Sequence, residues 1–167
     1  MSDIRIEVLS GDYSNNDVYV NVLNYLSRKA YLGGYGFSPN FSICITEQFQ
    51  LCEYFSNANS QQKLWHFCVT FAQSWNHTAL LEMAVWIAST FSNEYQIMYA
   101  LDLERGGKPD IPHLHFCVNA FSYHPNSTPL SKEEMQWRME WIQQELSTKC
   151  SPCSVTLQFQ GKRQRRA

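Results

Sequence analysis

The sequence predicts one α+β domain, in which helices pack on one face of an antiparallel five-stranded sheet. Segments of alternating apolar and polar residues, typical of strands, are interspersed with segments of helical periodicity. Two strand segments, 95–103 and 112–123, flank a turn-rich stretch, which predicts an antiparallel hairpin in the middle of the chain. Helices that cover one face would leave the other face free for function.

The predicted elements follow the order β-α-α-β-α-β-β-α-β. Residues 4–8 alternate between apolar and charged types and predict the first strand, and residues 14–16 can cap a helix of about four turns after it. Gly33-Gly34-Tyr35-Gly36 then predicts a flexible break. The remaining elements are a helix over 46–57, a strand over 63–71, a helix beginning at Asn76 or Thr78, the two hairpin strands, a helix from Ser131 to about Thr148, and a strand over 155–159.

The size and composition suit a single folded domain. The chain has 167 residues, and we expect a domain over 1–160 followed by a basic tail at 161–167. Apolar residues make up 44% and charged residues 17%, as in a globular protein. No run approaches the ~20 apolar residues that span a bilayer, and the N-terminus lacks the apolar block of a signal peptide. We therefore expect a cytoplasmic protein without a membrane segment.

The six cysteines are expected to be reduced. Four of them, Cys44, Cys52, Cys68 and Cys117, lie in apolar patterns, where a free cysteine behaves as a small buried hydrophobe. The segment 150–153 (CSPC) has the spacing of a redox or zinc motif, but no second pair or nearby histidine completes a site. We interpret this segment as a loop between a helix and a strand.

Positive charge is concentrated at the C-terminus. The net charge is −2, and setting aside Lys162, Arg163, Arg165 and Arg166 leaves −6 for residues 1–160. An acidic body argues against broad, nonspecific binding of nucleic acids. The tail is either a solvated end or a segment that binds phosphates.

The most informative stretch is Pro112–Asn119, with the sequence PHLHFCVN. Side chains of a strand alternate between its two faces, so His113, His115 and Asn119 share one face while the other face is apolar. Two neutral imidazoles on one face suit a divalent metal. The alternative is a pair of surface or structural histidines.

The hairpin brings acidic residues toward these histidines. If its strands pair around the glycine-rich turn, Asp102 and Glu104 lie beside His115 and His113. Two carboxylates and two imidazoles form a mixed ligand set compatible with Mn²⁺, Mg²⁺ or Zn²⁺. The alternative is a cross-strand pairing of acids and histidines that contributes only a few tenths of a kcal/mol.

Several stretches of the chain together suggest a family. Leu23–Lys29 contains a tyrosine on a predicted helix, Gly33–Gly36 is rich in glycine, and Leu64–Phe71 is a strand that carries a histidine. Tyr95–Asp102 and Pro112–Asn119 form the histidine-bearing hairpin. In this order the stretches resemble the motifs of conjugative relaxases of the mobilization-nuclease type, which are members of the HUH endonuclease superfamily. The resemblance spans about residues 4–150.

The resemblance implies a ferredoxin-like HUH core and a strand-specific endonuclease for plasmid or integrative-element mobilization. Its substrate would be single-stranded DNA at an origin of transfer, and mobilization accessory proteins would be its partners. Tyr25 matches the family's nucleophile, which attacks the scissile phosphate and becomes linked to the 5′ end of the DNA. A metal held by the histidines would polarise that phosphate. Tyr31 and Tyr35 are the alternative nucleophiles.

Other residues receive roles from the same resemblance. His66 matches the family's strand histidine and would contact DNA or the site, with a structural role as the alternative. Asn119 would contact phosphate or orient a ligand, with a strand-end cap as the alternative. Arg28 and Lys29, which end the tyrosine segment, are assigned to DNA binding together with the basic residues of the tail.

One position departs from the family pattern. Where these relaxases usually carry a third metal-binding histidine in a His-x-Asp pattern, this chain has Asp102-Leu103-Glu104. Aspartate binds Mg²⁺ or Mn²⁺, so the site either keeps a harder ligand set or is degenerate. The hypotheses are therefore an active relaxase, a relaxase-like module that binds DNA or acts as an accessory protein without cleaving, and a replication initiator or transposase of the same superfamily.

Overall fold

A computed structural model describes residues 3–10, 13–15, 17–38, 44–72, 75–105 and 108–161, apart from the side chains of residues 105 and 108–110. Six strands and four helices lie in these ranges. In chain order they are β1 (Ile4–Val8), α1 (Asp17–Ser27), β2 (Tyr31–Tyr35), α2 (Ile45–Ser56), β3 (Leu64–Phe71), α3 (His77–Ser89), β4 (Tyr95–Arg105), β5 (Lys108–Ser122), α4 (Lys132–Lys149) and β6 (Val155–Phe159).

The strands form one mixed sheet in the order β2-β4-β5-β3-β1-β6. Neighbouring strands are antiparallel except β1 and β6, which are parallel. The α+β class and the central hairpin of β4 and β5 are thereby confirmed, but the prediction of five antiparallel strands is wrong. The last strand follows a long helix, and a connection of that length allows parallel pairing where a tight hairpin does not.

The strand that the sequence prediction missed is β2, which occupies the expected flexible break. Its glycines permit close approach to β4: a Cβ on Gly34 would lie 2.6 Å from the carbonyl oxygen of Ile97. At the end of the strand, Gly36 has a φ of +80°, a conformation that glycine adopts without strain. The glycines therefore allow the edge strand β2 to pack closely against β4. From the sequence alone, glycines in such a strand cannot be distinguished from glycines in a turn.

Helices cover both faces of the sheet, so the prediction that they pack on one face is also wrong. On the first face, α3 and α4 bury an extensive apolar core that includes Phe67, Leu114 and Phe116. On the second face, α1 and α2 pack on a smaller cluster that includes Leu23 and Phe49. Both pairs of helices carry apolar side chains toward the sheet, and each pair needs its own face on which to bury them.

The N-caps predicted at Asn76 for α3 and at Ser131 for α4 are confirmed. Cys68 and Cys117 are buried as predicted, but Cys44 is exposed and Cys52 is only partly buried, so that prediction is wrong for these two cysteines. The side chain of Asn76 accepts a hydrogen bond from the N–H of Ala79 at the start of α3, at 2.8 Å. Ser131 Oγ accepts one from the N–H of Glu134 at the start of α4, at 3.1 Å. All six cysteines are free. Among the described residues, no helix combines the length and apolar character needed to cross a membrane.

Candidate active site and metal centre

The candidate site lies on the second face of the sheet, where polar side chains of neighbouring strands line up. The antiparallel register places His115 of β5 opposite Cys68 of β3, and Cys68 opposite Glu7 of β1. In the adjacent row, His113 lies opposite Asp102 of β4. Directly paired residues project to the same face, so these side chains form one continuous polar surface.

A compact group that could hold a metal ion is formed by His115, Cys68 and a further residue of β3, His66. His115 Nδ1 lies 3.2 Å from His66 Nε2 and 3.0 Å from Cys68 Sγ. The three donor atoms all lie within 4.8 Å of one another, and all three residues are buried. Imidazole nitrogen and thiolate sulfur are both metal ligands in proteins, so the donor chemistry fits a bound cation.

The opposite edge of the His115 ring faces an ion pair. Its Nε2 lies 3.7 Å from Asp102 Oδ2, and Lys29 Nζ lies 2.7 Å from the same carboxylate oxygen. Lys29 follows the last turn of α1, and only 18% of its side chain is exposed. The predicted metal-binding carboxylate therefore already has a cationic partner from the protein.

Tyr25 brings a hydroxyl-bearing ring to this polar surface from α1. Its ring centroid lies 5.5 Å from that of His115 and 6.5 Å from that of His66. Lys29 Nζ lies 4.4 Å from the centre of the Tyr25 ring. Although Tyr25 contacts both imidazoles, it is 43% exposed, so a substrate can reach it from solvent.

Burial fixes the protonation states of the two central histidines. Burial, with a smaller effect from His115, lowers the pKa of His66 to about 3. Burial also lowers the pKa of His115 to about 4 against the opposing effect of Asp102. Both imidazoles are thus neutral at pH 7. A neutral imidazole can accept a proton or bind a cation.

The charged and thiol groups around them respond to the same burial. Burial, together with smaller contributions from the carboxylates of Glu7 and Asp102, raises the pKa of Cys68 to about 12. Burial alone would raise the pKa of Asp102, but the hydrogen bonds from Lys29 and from the Glu104 N–H have a larger effect, so the pKa of Asp102 lies below its ordinary value. Burial alone would lower the pKa of Lys29, but the hydrogen bond to Asp102 and the neighbouring Tyr25 have a larger effect, so the pKa lies above its ordinary value. At neutral pH the site therefore holds an ionised Asp102–Lys29 pair.

The structure brings together most of the residues that the sequence singled out. Six of them lie at this site: His66, His113, His115, Asp102, Tyr25 and Lys29. The stacked rings of His113 and His115 have centroids 6.3 Å apart. Arg28 is exposed, and the four basic residues predicted to bind DNA from the tail, 162–166, lie outside the described residues.

The sequence predicts that Glu104 lies beside the histidines, and this prediction is wrong. It is exposed, and it pairs with Pro109 beyond a register irregularity that follows Asp102. Pairing continues to Arg105 and Lys108, so the hairpin is tighter than the loop expected from its glycines and proline. The regular register over 97–102 places Asp102 opposite His113 instead of His115, and the irregularity after Asp102 moves Glu104 past the end of the histidine pair.

Asn119 shares the strand face of His115, but its side chain is engaged elsewhere. Its Nδ2 donates to the carbonyl of Phe49 at 3.2 Å and to Gln96 Oε1 at 2.9 Å. Its Oδ1 accepts from the N–H of Phe121 at 3.1 Å. These bonds connect α2 to the sheet and favour a structural role for this fully buried amide.

Sequence reasoning missed three contributions to the site. Cys68 was interpreted as a buried hydrophobe, although its alternation with His66 already placed both on one strand face. Glu7 was assigned to a strand without a role, and Lys29 was assigned to DNA and not to Asp102. The alternation was visible in the sequence, but the partners across strands depend on a register that the sequence does not specify.

Searches with this chain found no matching protein-family model, no matching curated protein and no matching solved structure.

Proposed function

We propose that this chain is a relaxase-type DNA-nicking transesterase that cuts one strand of single-stranded DNA at an origin of transfer. The observation that carries the proposal is the contact of Tyr25 with His115 and His66, which come from distant parts of the chain. An accessible hydroxyl beside imidazoles that can hold a metal ion would place a nucleophile next to a Lewis acid. The family resemblance supplies the substrate and predicts the same residues.

In the proposed reaction, Tyr25 Oη attacks the phosphorus of the scissile phosphodiester. The tyrosine oxygen–phosphorus bond forms, the bond from phosphorus to the 3′ oxygen breaks, and the departing 3′ oxygen takes up a proton. The proton of Tyr25 passes to solvent water, because burial makes His66 and His115 weak bases, with pKa values of about 3 and about 4. The product is a 5′-phosphotyrosyl DNA that retains the bond energy needed for rejoining.

Positive charge beside Tyr25 would stabilise the phosphate during this attack. The Lys29 ammonium lies over the Tyr25 ring, so a phosphate bound to the tyrosine hydroxyl would lie near it. A divalent metal bound at the histidines would polarise the phosphate and offset its developing charge. Mn²⁺ or Mg²⁺ with His113, His115 and Asp102 is the first expectation, and Zn²⁺ is the alternative. The proposed partners are mobilization accessory proteins, and the proposed location is the cytoplasm.

The nicking proposal is tested with the full chain, candidate origin oligonucleotides and Mn²⁺. We expect a protein band shifted by covalently attached DNA, and Tyr25→Phe should abolish it because the nucleophilic oxygen is gone. Tyr31→Phe is the matched control, since Tyr31 is also 43% exposed and contacts His77 instead of the site histidines. A covalent product that persists in Tyr25→Phe would overturn the assignment of the nucleophile.

A second function is favoured by one observation, the ion pair between Asp102 and Lys29. The residue at the third histidine position of the family is here an acid that already binds a protein cation at 2.7 Å. This arrangement suits a catalytically degenerate, relaxase-like protein that binds DNA or assists mobilization. Binding of the same oligonucleotides without covalent attachment under varied metals would favour this second function.

A further inference from the structure

A cation could bind on either side of the His115 ring, and the two sides differ in chemistry. On the Nε2 side, Asp102 already holds the Lys29 ammonium. On the Nδ1 side, His66 Nε2 and Cys68 Sγ approach within 3.2 and 3.0 Å. The protein thus supplies its own positive charge on the first side and gathers three metal-binding atoms on the second.

We propose that His66 Nε2, Cys68 Sγ and His115 Nδ1 bind a Zn²⁺ ion, with Asp102 holding the His115 ring from its opposite edge. Two imidazoles and a thiolate form a ligand set that favours zinc over the harder cations Mn²⁺ and Mg²⁺. The inference refines the metal of the proposed nuclease and so rests on that proposal for its role. Metal binding itself can be measured without any DNA.

Two of the three spacings, from His115 Nδ1 to His66 Nε2 and to Cys68 Sγ, lie within about 0.6 Å of those around a tetrahedral zinc ion, and the third is at most 4.8 Å. At ordinary zinc bond lengths, two imidazole nitrogens lie about 3.3 Å apart, and an imidazole nitrogen lies about 3.6 Å from a thiolate sulfur. The corresponding distances are 3.2 Å for His66 and 3.0 Å for Cys68. Small rotations of these side chains are therefore enough to admit the ion.

Hydrogen bonding alone explains the group less well. If the proton of a neutral His115 lies on Nε2, on the side of Asp102, Nδ1 keeps a single lone pair. Two groups, His66 and Cys68, approach that one lone pair. A metal ion would use all three donor atoms at once.

The surroundings of the group resemble those of a zinc centre. A carboxylate that accepts from the second nitrogen of a ligating histidine fixes the ring orientation and makes the histidine a better ligand. Asp102 Oδ2 lies 3.7 Å from His115 Nε2, so the ring would have to move slightly for this hydrogen bond to form, and Glu7 adds a second carboxylate in the same sheet row as Cys68. Three protein ligands leave a fourth position, and Tyr25 contacts both imidazoles from α1.

The test uses the purified full chain, stripped of metal with a chelator and then titrated with Zn²⁺ or with Co²⁺ as a spectroscopic substitute. We expect stoichiometric binding of either ion. The Co²⁺ form should show the near-ultraviolet charge-transfer band of a thiolate–cobalt bond. That band needs a cysteine ligand, so it reports on the proposal even in the wild-type protein.

Variants then identify which cysteine is the ligand. Cys68→Ser should remove the band, whereas Cys117→Ser should keep it, since Cys117 is buried on the same sheet face but is not a member of the group. The double variant Cys150→Ser/Cys153→Ser should also keep the band, which excludes the other closely spaced pair. Asp102→Asn should weaken affinity by about 10- to 100-fold without removing the band.

Three outcomes would overturn the zinc inference: no stoichiometric binding, a band that survives Cys68→Ser, or metal binding lost in His113→Ala but kept in Cys68→Ser. The last result would place the ion on the Nε2 side, and the nuclease proposal would stand with a different ligand set. Conversely, zinc binding without DNA attachment would support this inference and count against nicking. Circular dichroism of each variant separates loss of a ligand from loss of the fold.

Discussion

Both faces of the sheet bury side chains, but they differ sharply in composition. The face under α3 and α4 is packed with aromatic and aliphatic side chains, such as Phe67 stacked on Phe116 with centroids 4.6 Å apart. The face under α1 and α2 buries His66, Cys68 and His115 at its centre. Burying polar groups costs free energy unless they are paired, so we expect the first face to contribute more to stability than the second.

The largest expected effect comes from removing an aromatic side chain from the apolar face. Phe116→Ala deletes a fully buried ring and leaves a cavity in the core, so we expect a loss of about 3–5 kcal/mol in the free energy of unfolding. Urea unfolding at pH 7 measures it. A loss below about 1 kcal/mol would show that this face is not the main source of stability.

Acidification tests the polar face. The folded pKa values of His66 and His115, about 3 and about 4, lie below the ordinary 6.5, so the unfolded chain binds more protons between these values. Their contribution to stability is therefore fully present above pH 6.5 and is lost as the pH falls toward the folded values. From pH 7 to pH 5, we expect the metal-free protein to lose about 2 kcal/mol for each histidine.

Variants attribute this pH dependence to the site. His66→Gln should remove about half of the loss, or roughly 2 kcal/mol, when urea unfolding is repeated at both pH values. Cys117→Ser should keep the wild-type dependence, because it changes a neighbouring buried position without removing a histidine. Equal pH dependence in wild type and His66→Gln would contradict the assigned protonation states.

The Asp102–Lys29 pair provides a smaller effect on the same face. Lys29→Met removes the hydrogen-bonded cation and leaves a mostly buried carboxylate beside His115, so we expect a loss of about 1.5–3 kcal/mol at pH 7. Arg28→Met is the matched control, since Arg28 is exposed, and its effect should stay within about 0.5 kcal/mol. Similar thermal unfolding of the two variants would show that the ion pair adds nothing to stability.

The smallest expected change separates stability from chemistry. Tyr25→Phe removes one hydroxyl from a ring that is 43% exposed, so the free energy of unfolding should change by less than about 0.5 kcal/mol. Chemical denaturation measures this alongside the nicking assay. A stability loss above about 1 kcal/mol would mean that the hydroxyl is structural, and the loss of nicking in this variant would then have a second explanation.

The sequence predicted the sheet face of each strand residue more reliably than the residue that lies opposite it on the neighbouring strand. Alternation placed His113 and His115 on one face and also grouped His66 with Cys68, and the structure has both arrangements. The register of the hairpin was predicted two residues away from its observed position, which misplaced Glu104. Alternation is a local property, whereas register depends on turn geometry and on packing across the sheet.

The errors in the fold have the same origin. Whether Gly33 and Gly34 form a turn or an edge strand depends on the space beside β4, which no local pattern reveals. The parallel pairing of β1 with β6 joins the two ends of the described chain and is equally nonlocal. Lys29 could be recognised as a cation from its sequence, but its bond to Asp102 appears only once α1 lies on the sheet.

The central position of β5 has a consequence for how the proposed DNA substrate could enter. Its backbone is paired with β4 on one side and β3 on the other, and Phe116, the residue after His115, is anchored in the apolar core. We therefore expect the amide of His115 to exchange with solvent deuterium only when the whole domain unfolds. Tyr25 belongs to a short helix resting on the sheet, so any opening that admits a substrate would move the tyrosine while the imidazoles stay fixed.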